Sequence, residues 1–245
     1  MDPRLASIER QLGPVRRILA VTGGKGGIGK SSVASVLSLL LAGAGLRTGL
    51  LDLDLTAPSD HVILGLDGPR PTEEFGLEPP VAHGIRFMTI GHFLGDEPAP
   101  LRGADVSNAL IELLAVTHWQ ALDVLVIDMP PGLGDASLDV VRLVRRAEYL
   151  VVAGSSRVVL ETVRRMLRLL TELRVPIAGV LENMARGRSD AVEHLARQFA
   201  VPFLGAVPFD VSLEDAHGDV GRIERTAMAA ALQQLVGRLF PRHSA

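Results

Sequence analysis

Short apolar runs alternate with helical segments along most of this 245-residue chain. The apolar runs, which predict buried strands, are residues 17–22, 48–52, 85–90, 123–128, 149–153, 177–181 and 203–207. The segments that predict helices are residues 31–43, 106–117, 137–146, 160–173, 191–199 and 225–240. Strands that are connected through helices pair in parallel and need helices on both faces of the sheet. The order therefore predicts an α/β fold with a doubly wound, mostly parallel sheet.

The length and the lack of a linker predict a single domain. At about 150 residues per domain, a chain of this size accommodates one α/β unit. Residues 57–100 are rich in proline and glycine and predict loops around the strand at 85–90. Apolar residues at Leu5, Ile8 and Leu12 share one helical face, so we divide the chain into an N-terminal helical segment, 1–16, and a domain, 17–245.

The composition excludes several classes of protein. The chain has no cysteine, which excludes disulfides and every thiolate-ligated zinc or iron–sulfur site. The net charge of −3, without a basic arm, gives no reason to expect a nucleic-acid partner. No apolar stretch has the length of a membrane span, and the first residues lack the apolar segment of a signal peptide. We therefore expect a cytoplasmic protein.

A glycine-rich loop lies between the first predicted strand and the first predicted helix. It reads Gly24-Lys25-Gly26-Gly27-Ile28-Gly29-Lys30-Ser31, followed by Ser32, and fits the phosphate-loop pattern G-x-x-x-x-G-K-[ST]. Backbone N–H groups of such a loop surround phosphate oxygens, and the following helix adds its positive N-terminal end. We expect Lys30 to contact the β- and γ-phosphates and the Ser31 hydroxyl to bind Mg²⁺.

Lysine is almost confined to this loop. Of the 25 lysines and arginines in the chain, only Lys25 and Lys30 are lysine. Arginine serves wherever else a cation occurs, so a compact ammonium group is needed at these two positions. A phosphate loop requires one lysine, and Lys25 is a second.

Carboxylates follow two predicted strands at the edge of the sheet that carries the loop. Asp52 and Asp54 end the second strand, and Asp128 ends the apolar run at 123–128. The carboxyl ends of parallel strands meet at one edge, so these side chains should lie near the bound phosphates. We predict that Ser31, Asp52 and Asp128 hold Mg²⁺, directly or through water.

Several stretches resemble the Mrp/ApbC-like ATPases, which are relatives of ParA and MinD in the SIMIBI class. These stretches are GGKGGIGKSS, LLDLDLTAPS, LRG, LDVLVIDMPPGLGD, GVLENM and AVPFD, in the family's order and over about residues 17–221. The resemblance implies that Asp54 positions the hydrolytic water and that the segment from Asp128 to Asp135 senses the γ-phosphate. It also implies that Asn183 binds adenine and that the loop at Pro208 and Phe209 covers the base.

The same resemblance assigns a role to the second lysine. In this class, a lysine at the position of Lys25 reaches across a homodimer to the nucleotide of the partner subunit. The expected catalytic residues are therefore Lys25, Lys30 and Asp54, and the expected cofactors are ATP and Mg²⁺. In the Mrp/ApbC-like proteins a C-x-x-C motif after the ENM segment holds an iron–sulfur cluster. Here that position reads MARGRS, so we expect no cluster.

Three functions are compatible with these motifs. The first is a dimeric ATP-hydrolysing switch that acts on an unidentified protein client or a metallocentre-assembly partner. The second is a MinD/ParA-like positioning ATPase at a membrane or on a scaffold, and the third is a small-molecule kinase or ligase. The C-terminal helix has an apolar stripe at Leu232, Leu235, Val236, Leu239 and Phe240, but its polar face is poor in lysine and arginine. This favours packing in the core over membrane binding.

Overall fold

The computed structural model describes residues 3–55, 57–66, 70–74, 76–93, 103–187 and 189–241. The strands in these residues are β1 (Val15–Gly23), β2 (Thr48–Asp52), β3 (Thr72–Glu73), β4 (Leu77–Glu78), β5 (Val81–Ala82), β6 (Ile85–Thr89), β7 (Leu122–Asp128), β8 (Glu148–Ala153), β9 (Ile177–Ala185) and β10 (Phe203–Pro208). The helices are α1 (Pro3–Leu12), α2 (Lys30–Gly43), α3 (Asp60–Leu64), α4 (Ala104–Val116), α5 (Asp135–Leu143), α6 (Arg157–Glu172), α7 (Ala191–Gln198), α8 (Ser212–Ala216), α9 (Val220–Ile223) and α10 (Ala227–Leu239).

Eight strands form one sheet in the order β10-β9-β8-β1-β7-β2-β6-β5, and β3 pairs with β4 apart from it. All neighbours in the large sheet are parallel except β5 and β6. From β1 the chain runs through α2 to β2 on one side of β1. From β7 it runs through α5 to β8 on the other side of β1. The α/β fold with a doubly wound, mostly parallel sheet is confirmed, and the loop after β1 lies at its topological switch point.

Helices cover both faces of the sheet and enclose two apolar layers. Along β1, Ile18 and Ala20 belong to the layer under α1, α4, α5, α6 and α7. Leu19 and Val21 belong to the layer under α2, α3 and α8 to α10. This alternation follows from the two-residue period of a strand. Burial on both faces explains why the strands are continuous apolar runs rather than alternating ones.

The helix α10 packs in the core. Leu232, Leu235 and Val236 are buried, and α10 lies against α2 and β10. The interpretation of this stripe as a core-packing face is confirmed for these three residues. Within the part of the chain that the structure describes, no helix combines the length and the apolar character that crossing a bilayer requires.

The structure differs from the predicted elements at several boundaries. The region predicted as loops between residues 57 and 100 contains the short helix α3. The strand β9 continues past Leu181 to Ala185, because β10 still pairs with its polar end. The strand β1 begins at Val15, and α1 packs against α4. The division at residue 16 stays a prediction.

Candidate nucleotide site

The loop from Gly24 to Gly29 connects β1 to α2 and has the backbone that phosphate binding requires. Gly27 and Gly29 both have φ of 76°, in the left-handed region that favours glycine. The helix α2 begins at Lys30 immediately after the loop. The first N–H groups of α2 have no partner within the helix, so they and the helix dipole attract an anion.

Two loop glycines are also required by close packing. A Cβ atom on Gly24 would lie 2.5 Å from the backbone carbon of Thr162 in α6. On Gly29 it would lie 2.3 Å from Nδ2 of Asn183, which donates a hydrogen bond of 2.8 Å to the carbonyl oxygen of Ile28. The loop is thus held against α6 on one side and β9 on the other.

We expect Gly29→Ala to destabilise the protein more than Gly27→Ala. The two glycines have the same φ, and alanine in this conformation costs about 1–2 kcal/mol. A Cβ on Gly27 meets nothing within 4 Å, whereas at Gly29 it displaces Asn183 and its hydrogen bond. The free energy of unfolding, measured with urea, should fall by about 1–2 kcal/mol more for Gly29→Ala. Equal losses in the two variants would contradict this packing.

Lys30 and Ser31, at the start of α2, both contact Asp128 at the end of β7. Lys30 Nζ is 2.5 Å from Asp128 Oδ1, and Ser31 Oγ donates a hydrogen bond of 2.6 Å to Asp128 Oδ2. Lys30 is only 7% exposed and Asp128 is fully buried. Burial raises the pKa of Asp128, and the charge of Lys30 and the two hydrogen bonds oppose that rise. The phosphate-loop lysine, the predicted metal-binding hydroxyl and the predicted metal-binding carboxylate therefore form one cluster.

Asp52 lies beside Asp128 because β2 pairs with β7 in a register that places the two residues opposite each other. Oxygens of Asp52 accept hydrogen bonds from the N–H groups of Asp54 (3.0 Å) and Ser59 (3.2 Å). Burial, followed by the charge of Asp128, raises the pKa of Asp52 to about 7. Asp54 lies in the loop after β2 and accepts a hydrogen bond of 3.2 Å from the N–H of Ala57.

A third buried carboxylate, Asp60, was not predicted from the sequence. It begins α3, and Ser35, one turn after Ser31 in α2, donates a hydrogen bond of 2.8 Å to its Oδ1. One oxygen from each of Asp52, Asp60 and Asp128 can be chosen so that all lie within 4.8 Å of one another. Burial, then the charges of Asp128 and Asp52, raise the pKa of Asp60 well above its ordinary value.

The donors in this cluster fit a magnesium ion. Mg²⁺ binds oxygen ligands, mainly carboxylates, hydroxyls, phosphates and water, and Ser31, Asp52 and Asp128 supply the first two kinds. Burial is the largest cause of the raised pKa values of Asp52 and Asp128, and a divalent ion bound between them would favour their ionised forms. These are the three residues that the sequence predicts as metal ligands.

The predicted base-binding residues and Ser32 line one cavity of about 110 Å³ beside the loop. Ser32, Asn183, Pro208 and Phe209 all contribute to its wall. Asn183 is 2% exposed, and its Oδ1 is buried without a hydrogen-bond partner among the described residues, so the amide has an unsatisfied acceptor. The structure thus brings the predicted base-binding residues together next to the predicted phosphate site.

The segment that stands in place of the C-x-x-C motif supports the wall of this cavity. The guanidinium carbon of Arg186 lies 4.4 Å from the centre of the Phe209 ring, a distance typical of a cation–π contact. The N–H of Phe209 also donates a hydrogen bond of 3.0 Å to the carbonyl oxygen of Ala185. Arg188, in the same segment, lies outside the described residues.

Lys25 differs from Lys30 in its surroundings. Lys25 is exposed at the tip of the loop, whereas Lys30 is buried against Asp128. Its two neighbours on the C-terminal side, Gly26 and Gly27, are also exposed, and a Cβ atom added to either glycine would meet no described atom within 4 Å. The ammonium group of Lys25 is therefore accessible to a ligand or to another protein subunit.

Comparison with known proteins agrees with these features. The model of the ParA family described as "NUBPL iron-transfer P-loop NTPase" matches residues 14–240. The iron-sulfur cluster carrier protein of Pseudomonas fragi is 37% identical over 221 residues, which are 83% of this chain and 77% of that protein. The carrier protein of the same name from Escherichia coli K12 is 35% identical over 216 residues, which are 82% of this chain and 58% of that protein.

Solved structures show the same fold. A nucleotide-binding protein from Archaeoglobus fulgidus, in complex with ADP, has a TM-score of 0.73 and 28% identity, with 90% of this chain and 93% of that chain covered. The septum site-determining protein MinD from Pyrococcus horikoshii, complexed with Mg-ADP, has a TM-score of 0.68 and 21% identity, with 92% and 96% covered. The resemblance to Mrp/ApbC-like ATPases is confirmed. The chain belongs to the ParA family of P-loop NTPases, in the group described as NUBPL iron-transfer P-loop NTPases.

Proposed function

We propose that this protein binds and hydrolyses Mg-ATP as a homodimer and that the nucleotide state controls its contact with a protein client. One observation carries the proposal: the glycine loop, Lys30, Ser31, Asp52 and Asp128 converge where β1, β2 and β7 end. In open α/β sheets, ligands bind in the crevice outside these strand ends. The relatives described above, two of them solved with ADP, agree with this choice of ligand.

The phosphates would bind at the loop and at the start of α2. Backbone N–H groups of residues 24–31 would donate hydrogen bonds to the α- and β-phosphate oxygens. On nucleotide binding, the ammonium group of Lys30 would leave Asp128 and contact the β- and γ-phosphates. This would free Asp128 Oδ1, which now accepts a hydrogen bond from Lys30. Phosphate binding would therefore make Asp128 Oδ1 available to a metal ion.

Ser31, Asp52 and Asp128 would hold the magnesium ion, which neutralises the phosphate charge that develops during hydrolysis. Asp54 would orient the attacking water, because it follows the end of β2 and is half-buried, whereas Asp52 is fully buried. The segment from Asp128 to Asp135 would respond to the γ-phosphate. Asp128 itself accepts hydrogen bonds from both Lys30 and Ser31, which links this segment to the loop.

The adenine base would bind in the cavity between Asn183 and Phe209. The side-chain amide of Asn183 already donates to Ile28, and its Oδ1 can accept from the exocyclic amine of adenine. Pro208 and Phe209 supply an apolar wall that Arg186 holds in place. Ser32 lines this cavity and directly follows Ser31, so the cavity lies next to the proposed phosphate site.

Replacing Lys30 by Ala should remove most of the ATP affinity. The variant loses a charge-assisted hydrogen bond to phosphate, a contribution of about 1.5–3 kcal/mol, so binding should weaken roughly 10- to 100-fold. Isothermal titration calorimetry with Mg-ATP measures this directly. Because the change also leaves Asp128 buried without its cation, circular dichroism must first show that the variant is folded. Unchanged affinity in a folded variant would place the nucleotide elsewhere.

The client of the switch would be a protein of metallocentre assembly. Two relatives are named iron-sulfur cluster carrier proteins, which points to a partner in metallocentre assembly. This chain has no cysteine, so the nucleotide switch would act on that partner without the chain ligating a cluster through its own thiolates.

We therefore expect no stoichiometric iron or sulfide in the purified protein, even after anaerobic reconstitution with iron and sulfide. Thiolates are the usual ligands of iron–sulfur clusters, and the chain offers none. Iron and acid-labile sulfide analysis, together with the visible absorption spectrum, measures the outcome. About one cluster per dimer would show that the chain uses other ligands and would contradict a role as a switch alone.

A further inference from the structure

The carboxylates of Asp52, Asp60 and Asp128 form a compact group at the bottom of the nucleotide site. Each residue is fully buried, and they come from three elements: the end of β2, the start of α3 and the end of β7. One oxygen from each lies within 4.8 Å of the other two. Asp52 and Asp128 belong to the proposed magnesium site, in which Asp60 was given no role.

Asp60 has an unused acceptor. Its Oδ1 accepts a hydrogen bond from Ser35, but its Oδ2 is buried and has no hydrogen-bond partner among the described residues. A buried carboxylate oxygen without a donor is costly, so such groups are normally paired or bound to a metal ion. The unpartnered oxygen belongs to a carboxylate that lies within the acidic cluster.

The cluster contains three carboxylates and, among the described residues, is in contact with a single cation. Within the described part of the chain, Lys30 is the one cation in direct contact with it, and Lys30 is paired with Asp128. With all three carboxylates ionised, the cluster would carry two more negative charges than Lys30 compensates. A single divalent ion would neutralise them.

We propose that Asp60 joins Asp52 and Asp128 in a divalent-cation site that is occupied before the nucleotide binds. The proposal rests on the proposed function in one respect, namely that Asp52 and Asp128 are metal ligands. The distances fit, because two oxygens on opposite sides of one ion are about 4.2 Å apart for Mg²⁺ and about 4.8 Å apart for Ca²⁺. An ion already bound there would compensate the negative charge of Asp128 when Lys30 contacts the phosphates instead.

The test is a titration of the nucleotide-free protein with MnCl₂, followed by the electron paramagnetic resonance signal of free Mn²⁺. We expect about one Mn²⁺ per chain, displaced by excess MgCl₂. Asp60→Asn keeps the shape of the side chain but removes its charge, and it should weaken Mn²⁺ binding at least ~10-fold. Asp190→Asn is the matched control, because Asp190 is an exposed carboxylate before α7, and it should bind Mn²⁺ as the wild type does.

Thermal denaturation gives a second readout. In EDTA, Asp60→Asn should be at least as stable as the wild type, because it replaces a carboxyl group whose ionised form is disfavoured by burial. Adding MnCl₂ should raise the Tm of the wild type but not that of Asp60→Asn. If Asp60→Asn does not fold, Asp60→Ser takes its place with the same expectation. Absence of Mn²⁺ binding to the nucleotide-free wild type, or equal Mn²⁺ affinity in the wild type and the Asp60 variant, would overturn the proposal.

The two proposals can fail separately. Wild-type protein that binds Mg-ATP but no Mn²⁺ without nucleotide overturns the role of Asp60 and leaves the proposed function intact. Protein that binds Mn²⁺ through Asp60 but does not bind Mg-ATP supports the cation site and contradicts the proposed function.

Discussion

Lys25→Ala should retain ATP binding and hydrolyse ATP at least ~100-fold more slowly than the wild type, because removing one group that stabilises transition-state charge costs about 100- to 1,000-fold in rate. Binding persists because Lys30 and the loop backbone still contact the phosphates of their own subunit. Hydrolysis slows because the positive charge that stabilises the leaving phosphates comes from the exposed Lys25 of the other subunit. Calorimetry with Mg-ATP and a phosphate-release assay measure the two effects separately.

Lys25→Arg is the matched control for this prediction because it keeps the charge. Arginine is longer, planar and forked, so it should fit poorly between two glycine-rich loops, and hydrolysis should remain slow. Wild-type activity per subunit should also rise with protein concentration as the dimer forms. Full activity of Lys25→Arg, together with activity independent of concentration, would make Lys25 a residue that acts within its own subunit.

Asp54→Ala should lose hydrolysis and accumulate as an ATP-bound dimer. The change removes the group that orients the attacking water but leaves both lysines in place, so the dimer forms and does not turn over. Analytical ultracentrifugation with ATP should show a larger dimer fraction than for the wild type, and phosphate release should be near background.

Asp54→Asn separates this catalytic role from a structural one. Asparagine keeps an oxygen that can accept the hydrogen bond from the N–H of Ala57, so the loop after β2 should retain its shape. We expect it to hydrolyse ATP as poorly as Asp54→Ala. Wild-type activity in Asp54→Asn would assign Asp54 a role in loop structure only.

The fold and the phosphate loop could be predicted because their signals are local. Strands buried on both faces are continuous apolar runs, so the sequence marks them without knowledge of their neighbours. The loop pattern requires glycine where φ is positive, and Gly27 and Gly29 have that conformation. Asp52 and Asp128 were expected to lie together because both end parallel strands, and their register in β2 and β7 places them side by side.

Asp60 could not be predicted because its burial depends on contacts with residues that are distant in the sequence. It follows a segment rich in loop-forming residues and begins a helix of only five residues, too short for a periodic pattern. Its partner Ser35 is 25 residues earlier, and its neighbour Asp128 is on another strand. The one local signal is an aspartate shortly before the apolar residues 62–64, which is also typical of an ordinary helix start.

The polar end of β9 was missed for a related reason. The apolar run stops at Leu181, yet the strand continues through Glu182 and Asn183, both only 2% exposed. Polar residues in a strand give no periodic signal, so the pairing with β10 decides where β9 ends. The consequence is functional, because this extension presents Asn183 to the loop.

The most direct test of the account is a mixing experiment with Lys25→Ala and Asp54→Ala. Each variant alone should be nearly inactive. In a heterodimer, the site on the Lys25→Ala subunit keeps its own Asp54 and receives Lys25 from the Asp54→Ala subunit, so one complete site forms. Each heterodimer should therefore regain up to about half of the activity of the wild-type dimer. If native mass spectrometry shows that heterodimers form and phosphate release does not recover, Lys25 acts within its own subunit and the shared-site dimer is wrong.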